Sequence, residues 1–287
     1  MSTMVAIDGV IHDERSAKIS VFDRGFLYGD SVYEVIRTYG GVPFALDEHL
    51  DRLKRSADLL GIALPMDRDG LAGEVQATLA AAGNAESYIR VVVTRGSGPI
   101  GLDPALAASP CRVVVVAELH GHPAELYERG AAIRLIAAGR VAEGAVPLSA
   151  KSGNYLVNLM AVGQAKRQGA HEAVLVDAAG RVTEGASSNV FIVTRGALHT
   201  PPLSAGILEG ITRRKVMGLA RDNGLSVEER ELRPEELRGA DEVLITGTLR
   251  EVMPVTRVDD QLIGDGNPGP VTRRMQDLFR ALTGAAR

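Results

Sequence analysis

Apolar positions along the chain follow two periods, and each predicts its own element. In "LDEHLDRLKRSADLLGI" Leu46, Leu50, Leu53, Ala57 and Leu60 recur at steps of three and four, the spacing of one buried helix face. Gly61 follows, where a left-handed glycine stops a helix. A second helix is predicted over Asp69 to Ala82, ended by Gly83-Asn84. "SYIRVVVTR" and "CRVVVVAEL" are valine-rich and read as strands. "MVAIDGVIH" reads as two short strands around an Asp8-Gly9 turn. Further on, the strands "AIRLIAA", "EAVLVDA", "NVFIVT" and "EVLITGT" alternate with helices near 154–168, 211–222 and 271–283. In "KSGNYLVNLM" Leu156, Val157, Leu159 and Met160 read as helix core. The polar, proline-containing "LHGHPAELYERGA" separates the two stretches. The chain therefore divides into an α/β domain at 1–119, a linker at 120–126 and a second α/β domain at 127–287.

Composition narrows the class. The chain has 287 residues, 45% hydrophobic and 24% charged, as in a globular protein with a real core. A net charge of −4 gives no reason to expect nucleic acid or an anionic membrane as partner. One cysteine, Cys111, allows no internal disulfide. The first residues lack a basic region with a long apolar run, and no apolar stretch reaches the ~20 residues that span a bilayer. A cytoplasmic protein is expected.

Several motifs carry little chemistry. "GSGPIG", Gly96 to Gly101, has dinucleotide-fingerprint spacing but no helix start behind it, since Asp103-Pro104 and Ser109-Pro110 follow. It is a loop. His120 and His122 have no third ligand at metal-binding spacing, and no Gly-x-Ser-x-Gly elbow is present. Three other residues are ambiguous one by one. Thr212 at a helix start either caps it or presents a hydroxyl at a phosphate site. Glu184 is either a surface charge or a carboxylate that holds a ring nitrogen protonated. Lys151 either snorkels to water or serves as a nucleophile. Together, a lysine, a carboxylate and a phosphate-type helix start are the three anchors a pyridoxal phosphate enzyme needs.

At these residues the chain resembles the class IV aminotransferases, the pyridoxal-phosphate enzymes of fold type IV. The resemblance runs over roughly residues 5–283 and rests on "DRGFLYGDSVYEVIRTYGG", "EHLDRL", "YIRVVVTRG", "KSGNYL", "TEGASSNVF", "GITR" and "TGTLREVMPV". It implies a smaller N-terminal α/β domain and a larger C-terminal domain with a mixed, β-barrel-like sheet and helices. It implies that Lys151 forms the Schiff base, Glu184 pairs with the pyridine nitrogen and Tyr155 bonds the cofactor's phenolic oxygen. Arg52, Ile211, Thr212 and Thr248 correspond to phosphate contacts, with Ser188, Asn189 and Gly210 beside the cofactor. By helix geometry alone Arg52 lies about 100° round from Leu53, where a side chain is expected to be mainly solvated.

The implied reaction is a ping-pong transamination, with Lys151 as general base and a homodimer as the working form. For the substrate, the resemblance points to Tyr28, Tyr33, Arg37, Tyr88, Arg90, Arg95, Thr248 and Leu249. Strand alternation puts Tyr88 and Arg90 on one face and Arg95 on the other, unless the strand has ended. A branched-chain L-amino acid is the expected donor, with 2-oxoglutarate an example acceptor. A D-amino acid or an (R)-amine is the alternative, and two departures from the branched-chain pattern leave room for it. Val35 stands where branched-chain enzymes carry glycine, and Ser188 where they carry an acid. Against the D-amino-acid reading, no Arg-x-His follows "TRG"; the residues after Gly98 are Pro99, Ile100 and Gly101. The aminodeoxychorismate lyases and a non-catalytic relative are more remote alternatives.

Overall fold

The computed structural model describes residues 3–137 and 149–284. The chain groups into two units, Met1–His120 with Ala150–Asn154, and Gly121–Ser149 with Tyr155–Arg287. The five residues around Lys151, expected with the second domain, group with the first.

The first unit holds β1 (Met4–Ile7), β2 (Val10–Asp13), α1 (Arg24–Tyr28), β3 (Ser31–Tyr39), β4 (Val42–Pro43), α2 (Leu46–Leu60), α3 (Arg68–Ala82), β5 (Ser87–Thr94) and β6 (Cys111–Glu118). Its six strands run β2-β1-β6-β5-β3-β4, and every pair is antiparallel. Alternation places Val32 and Ile36 of β3, Ile89, Val91 and Val93 of β5, and Val114 and Val116 of β6 on one face. Leu50, Leu53 and Ala57 of α2 and Leu71 and Val75 of α3 complete that core. The Asp8-Gly9 turn has φ of 49° and 87°, and Gly61 ends α2 at φ 61°. "GSGPIG" is irregular chain, followed by a single turn at Pro104–Leu106.

The second unit holds α4 (Ala124–Arg129), β7 (Ala131–Ala137), α5 (Leu156–Arg167), β8 (Glu172–Val176), β9 (Val182–Gly185), β10 (Asn189–Thr194), β11 (Ala197–Thr200), α6 (Ile211–Asp222), β12 (Val227–Glu229), α7 (Pro234–Arg238), β13 (Glu242–Gly247), β14 (Glu251–Val258), β15 (Gln261–Leu262) and α8 (Pro270–Thr283). Helix α4 begins inside the expected linker. Ala138, the last residue expected in the β7 strand, lies outside the described residues. The sheet runs β12-β11-β10-β13-β14-β7-β8-β9, with β15 on β14. Its pairings are mixed, being parallel at β11–β12, β14–β7 and β7–β8. The path curls until its ends approach, because Leu232, just past β12, bridges Val182 of β9.

One expectation is corrected in α5. Leu156, Val157, Leu159 and Met160 are not core: they are 70%, 45%, 66% and 64% exposed. The helix turns its small residues inward instead, packing Ala161 and Ala165 on Ala132, Ile136 and Ala173. No helix among the described residues is long and apolar enough to cross a membrane.

Candidate active site

Strand β3 and helix α2 build the first group of candidate residues. Positions 32, 34, 36 and 38 of β3 face the core, and all four are fully buried. Glu34 is thus a carboxylate between Val32 and Ile36, a placement that demands partners. Helix α2 provides them at i and i+3. His49 Nδ1 lies 2.7 Å from Glu34 Oε2, and Arg52 grips the carboxylate through Nε and Nη2, both at 2.7 Å. Burial pushes the Glu34 carboxyl up, but the Arg52 charge and the Arg52 and His49 hydrogen bonds outweigh it and hold it at about 2. Burial pushes His49 down; Glu34 opposes this, while the charges of Arg52 and Lys151 add to it. Arg52 is only 5% exposed. The flank of α2 that helix geometry assigns to solvent is covered by β3, because Glu34 draws the guanidinium inward.

One turn further along the same row of α2, Ser56 Oγ accepts the Lys151 N–H at 3.1 Å. The Lys151 carbonyl accepts from Tyr33 N at 3.0 Å, and Gly153 N donates to the Ser31 carbonyl at 2.8 Å. Lys151 is therefore pinned to β3 and α2 by its backbone. Its Nζ lies 3.5 Å from Tyr33 Oη and 4.5 Å from that ring's centroid. Side-chain placement here is that of a held amine rather than one extended into water.

The structure sorts the expected substrate residues. Tyr33 and Arg37 share the β3 face opposite the core, and the cross-strand pairs Val35–Arg90 and Arg37–Tyr88 put Tyr88 and Arg90 on that face too. The Arg90 guanidinium stacks 4.0 Å from the Tyr33 ring, and that of Arg37 lies 4.1 Å from the Tyr39 ring. Arg95 lies past the end of β5. It pairs with Asp30 at 2.8 Å and donates to the last carbonyls of the α2 region, Leu60 and Gly61, a favourable place for a cation. Tyr28 accepts from Gly101 N through its hydroxyl at 3.2 Å. Arg95 and Tyr28 thus tie loops together, whereas Tyr33, Arg37, Tyr88 and Arg90 form one polar-aromatic face.

The second unit gathers the remaining candidates on three turns. Glu184 of β9 accepts from Asn189 Nδ2 at 3.2 Å and from Leu208 N at 3.1 Å. Asn189 also donates to the Leu208 carbonyl at 3.0 Å. Gly210 lies against Asn189 so closely that a Cβ there would meet Asn189 Oδ1 at 1.9 Å. Having no side chain, Gly210 gives α6 no cap, so the first-turn amides at buried Ile211 and Thr212 are suited to an anion. Thr248 and Leu249 lie in the turn between β13 and β14. Tyr155 immediately precedes α5, and Asn158 one turn on donates to the Ala186 carbonyl at 2.8 Å.

Sequence reasoning missed two buried carboxylates, one in each unit. Glu172 is fully buried and takes Arg250 Nη2 at 2.8 Å and Ser187 Oγ at 2.7 Å. The Glu172–Arg250 pair joins the Ala186–Ser187 turn to the turn between β13 and β14, and neither residue's type reveals it. Glu34 is the other; only once β3 is placed does it become a carboxylate at a core position, where a cation is required.

The first unit offers a nucleophile-capable amine and a buried guanidinium, and the second a carboxylate fixed by two donors and an uncapped helix start; each pair suits groups that pyridoxal phosphate carries. The chain belongs to the class IV aminotransferases, pyridoxal-phosphate-dependent enzymes: the amino-transferase class IV family model matches residues 31–258. It is 40% identical over 276 residues to a putative branched-chain-amino-acid aminotransferase of Methanocaldococcus jannaschii, covering 96% of this chain and 95% of that one. It is 36% identical over 282 residues to a D-alanine aminotransferase of Bacillus licheniformis, covering 96% and 95%. Among solved structures, a T.th. branched-chain amino acid aminotransferase with pyridoxamine 5′-phosphate matches with a TM-score of 0.93 at 32% identity, over 100% of this chain and 96% of that one.

Proposed function

We propose that this aminotransferase moves the amino group of a branched-chain L-amino acid to a 2-oxo acid such as 2-oxoglutarate, by a ping-pong mechanism. The observation that carries the site assignment is Lys151, held by its backbone on Ser56 and Tyr33 with its amine beside the Tyr33 ring. Pyridoxal phosphate supplies an aldehyde that condenses with amines and a ring that withdraws electrons from the adjacent carbon. Lys151 would hold the aldehyde end, and its amine is placed to take up and return the proton of a substrate's α-carbon. Glu184, oriented by Asn189 and the Leu208 amide, keeps the ring nitrogen protonated. Arg52, the Ile211 and Thr212 amides and Thr248 receive the phosphate, and Tyr155 bonds the phenolic oxygen. Arg90, Tyr88, Tyr33 and Arg37 face the substrate.

A D-amino acid donor is the second reading, favoured by Val35 and by the 36% identity to a D-alanine aminotransferase. Half-reactions with L-leucine, D-alanine and (R)-1-phenylethylamine decide between them. Loss of the bound cofactor's visible band with L-leucine alone is expected; loss with D-alanine and not L-leucine would overturn the substrate assignment.

The working form is read as a homodimer in the cytoplasm. The exposed Leu156, Leu159 and Met160 of α5 support a second copy as their cover, and the lone Cys111 suits a reducing compartment. Sedimentation at low micromolar concentration should give twice the chain mass. A monomer there would overturn the dimer.

A further inference from the structure

We propose that Glu34 is a positioning residue for the cofactor's phosphate: it fixes the plane and direction of the Arg52 guanidinium. The inference rests on the reading of Arg52 as a phosphate residue. Three observations carry it. Glu34 is fully buried on the core face of β3, opposite Val91 and between Val32 and Ile36. A well-packed apolar side chain there would serve stability at least as well as a buried ion pair, so its presence calls for a different reason. The grip is bidentate, with Nε and Nη2 of Arg52 both at 2.7 Å, and two parallel bonds determine the orientation of a planar guanidinium. The other N–H groups of Arg52 then have one fixed direction instead of a range of rotamers.

His49 completes the device. Its Nδ1–H donates to the second carboxylate oxygen at 2.7 Å, so Glu34 cannot swing away from the guanidinium. The row His49, Arg52, Ser56 runs along one side of α2, and Ser56 takes the Lys151 backbone N–H. The same helix and strand that aim Arg52 also seat Lys151. Glu34 therefore fixes where a phosphate is received relative to where an aldehyde is held, using residues of the first unit alone.

The test compares two ligands on the full-length protein freed of cofactor. Pyridoxal phosphate and pyridoxal both condense with Lys151, but only the first has a phosphate. Binding is read as the absorbance of the lysine-bound ligand and the quenching of tyrosine fluorescence. Arg52→Gln tests the underlying reading and should weaken pyridoxal phosphate alone. Glu34→Gln should reproduce that selectivity, weakening pyridoxal phosphate about tenfold or more while pyridoxal stays within about twofold. Adding Glu34→Gln to Arg52→Gln should cost nothing further in the ratio of the two affinities. Glu34→Asp, which keeps the charge, should recover part of the ratio, and it reads the same quantity if Glu34→Gln does not fold. A selective Arg52→Gln beside Glu34 variants that leave the ratio unchanged, or that weaken both ligands alike, overturns the role of Glu34. A non-selective Arg52→Gln overturns the reading of Arg52, and the inference falls with it.

Discussion

Lys151 is anchored at both ends of its peptide unit, its N–H on Ser56 Oγ and its carbonyl on Tyr33 N. Truncating the side chain leaves both bonds in place. Lys151→Ala should therefore abolish transamination, the amine being the only part of the residue the reaction uses, while shifting unfolding free energy by no more than about 1 kcal/mol. Turnover and a denaturant melt, measured on the same preparation, check both halves. Near-native turnover would remove Lys151 from its role. Tyr33 belongs to the same scale of argument. Its backbone N–H holds the lysine loop, so Tyr33→Phe keeps the anchor and removes only the hydroxyl 3.5 Å from Nζ. A long contact of this kind is weak; activity should fall by less than about tenfold.

At the scale of elements, the turns carry the site, and their glycines are its sharpest constraints. Gly210 has ordinary backbone angles, φ −66° and ψ 131°, so its requirement is space rather than conformation. An added Cβ would meet Asn189 Oδ1 at 1.9 Å, forcing Asn189 off Glu184 and the α6 start off its place. Gly210→Ala should weaken cofactor binding at least about tenfold while the α6 helix persists, read by cofactor titration and circular dichroism; unchanged affinity would show that the Glu184–Asn189 contact does not matter. Periodicity identifies α2, whose apolar residues share one buried face, and apolar runs rich in β-branched residues identify β5, β6, β10 and β13, the last two buried on both faces. It does not identify β3, whose core face mixes Val32 and Ile36 with Glu34 and Thr38 and whose other face carries Tyr33 and Arg37. Charges at buried positions erase the alternation, and they are the residues that make the site. Strand β14 escapes for another reason. Pro254 lies at its centre, and it is tolerated because pairing with β7 begins only at Val255. Lys151, Glu184 and Thr212 are recognisable as types, but only the resemblance assigns their roles. Nothing local in the sequence signals that Arg52 is buried, because a helix flank is exposed or covered according to a strand that packs on it from another stretch of chain.

For the molecule as a whole, the buried Glu34–His49–Arg52 group couples folding to pH. Glu34 is held at about 2 in the fold, against 4.5 when free. A depressed carboxyl stabilises the fold fully above its unfolded value, and the contribution is lost as pH falls through the folded one. The window for Glu34 is therefore from 4.5 down to about 2, and the loss is on the order of 3 kcal/mol. His49 is also depressed, from 6.5, so the unfolded chain takes up its proton first. Its contribution is complete above 6.5 and declines as pH falls below that value. The cofactor-free protein should lose stability on acidification in two stages, beginning below 6.5 and steepening below 4.5. His49→Gln keeps a donor for the Glu34 carboxylate but cannot titrate. It should flatten the first stage and leave the second, as followed by melting temperature against pH in each variant. Were the first stage unchanged in His49→Gln, His49 would not be the group that takes up the proton, and the neutral imidazole beside Glu34 would have to be abandoned.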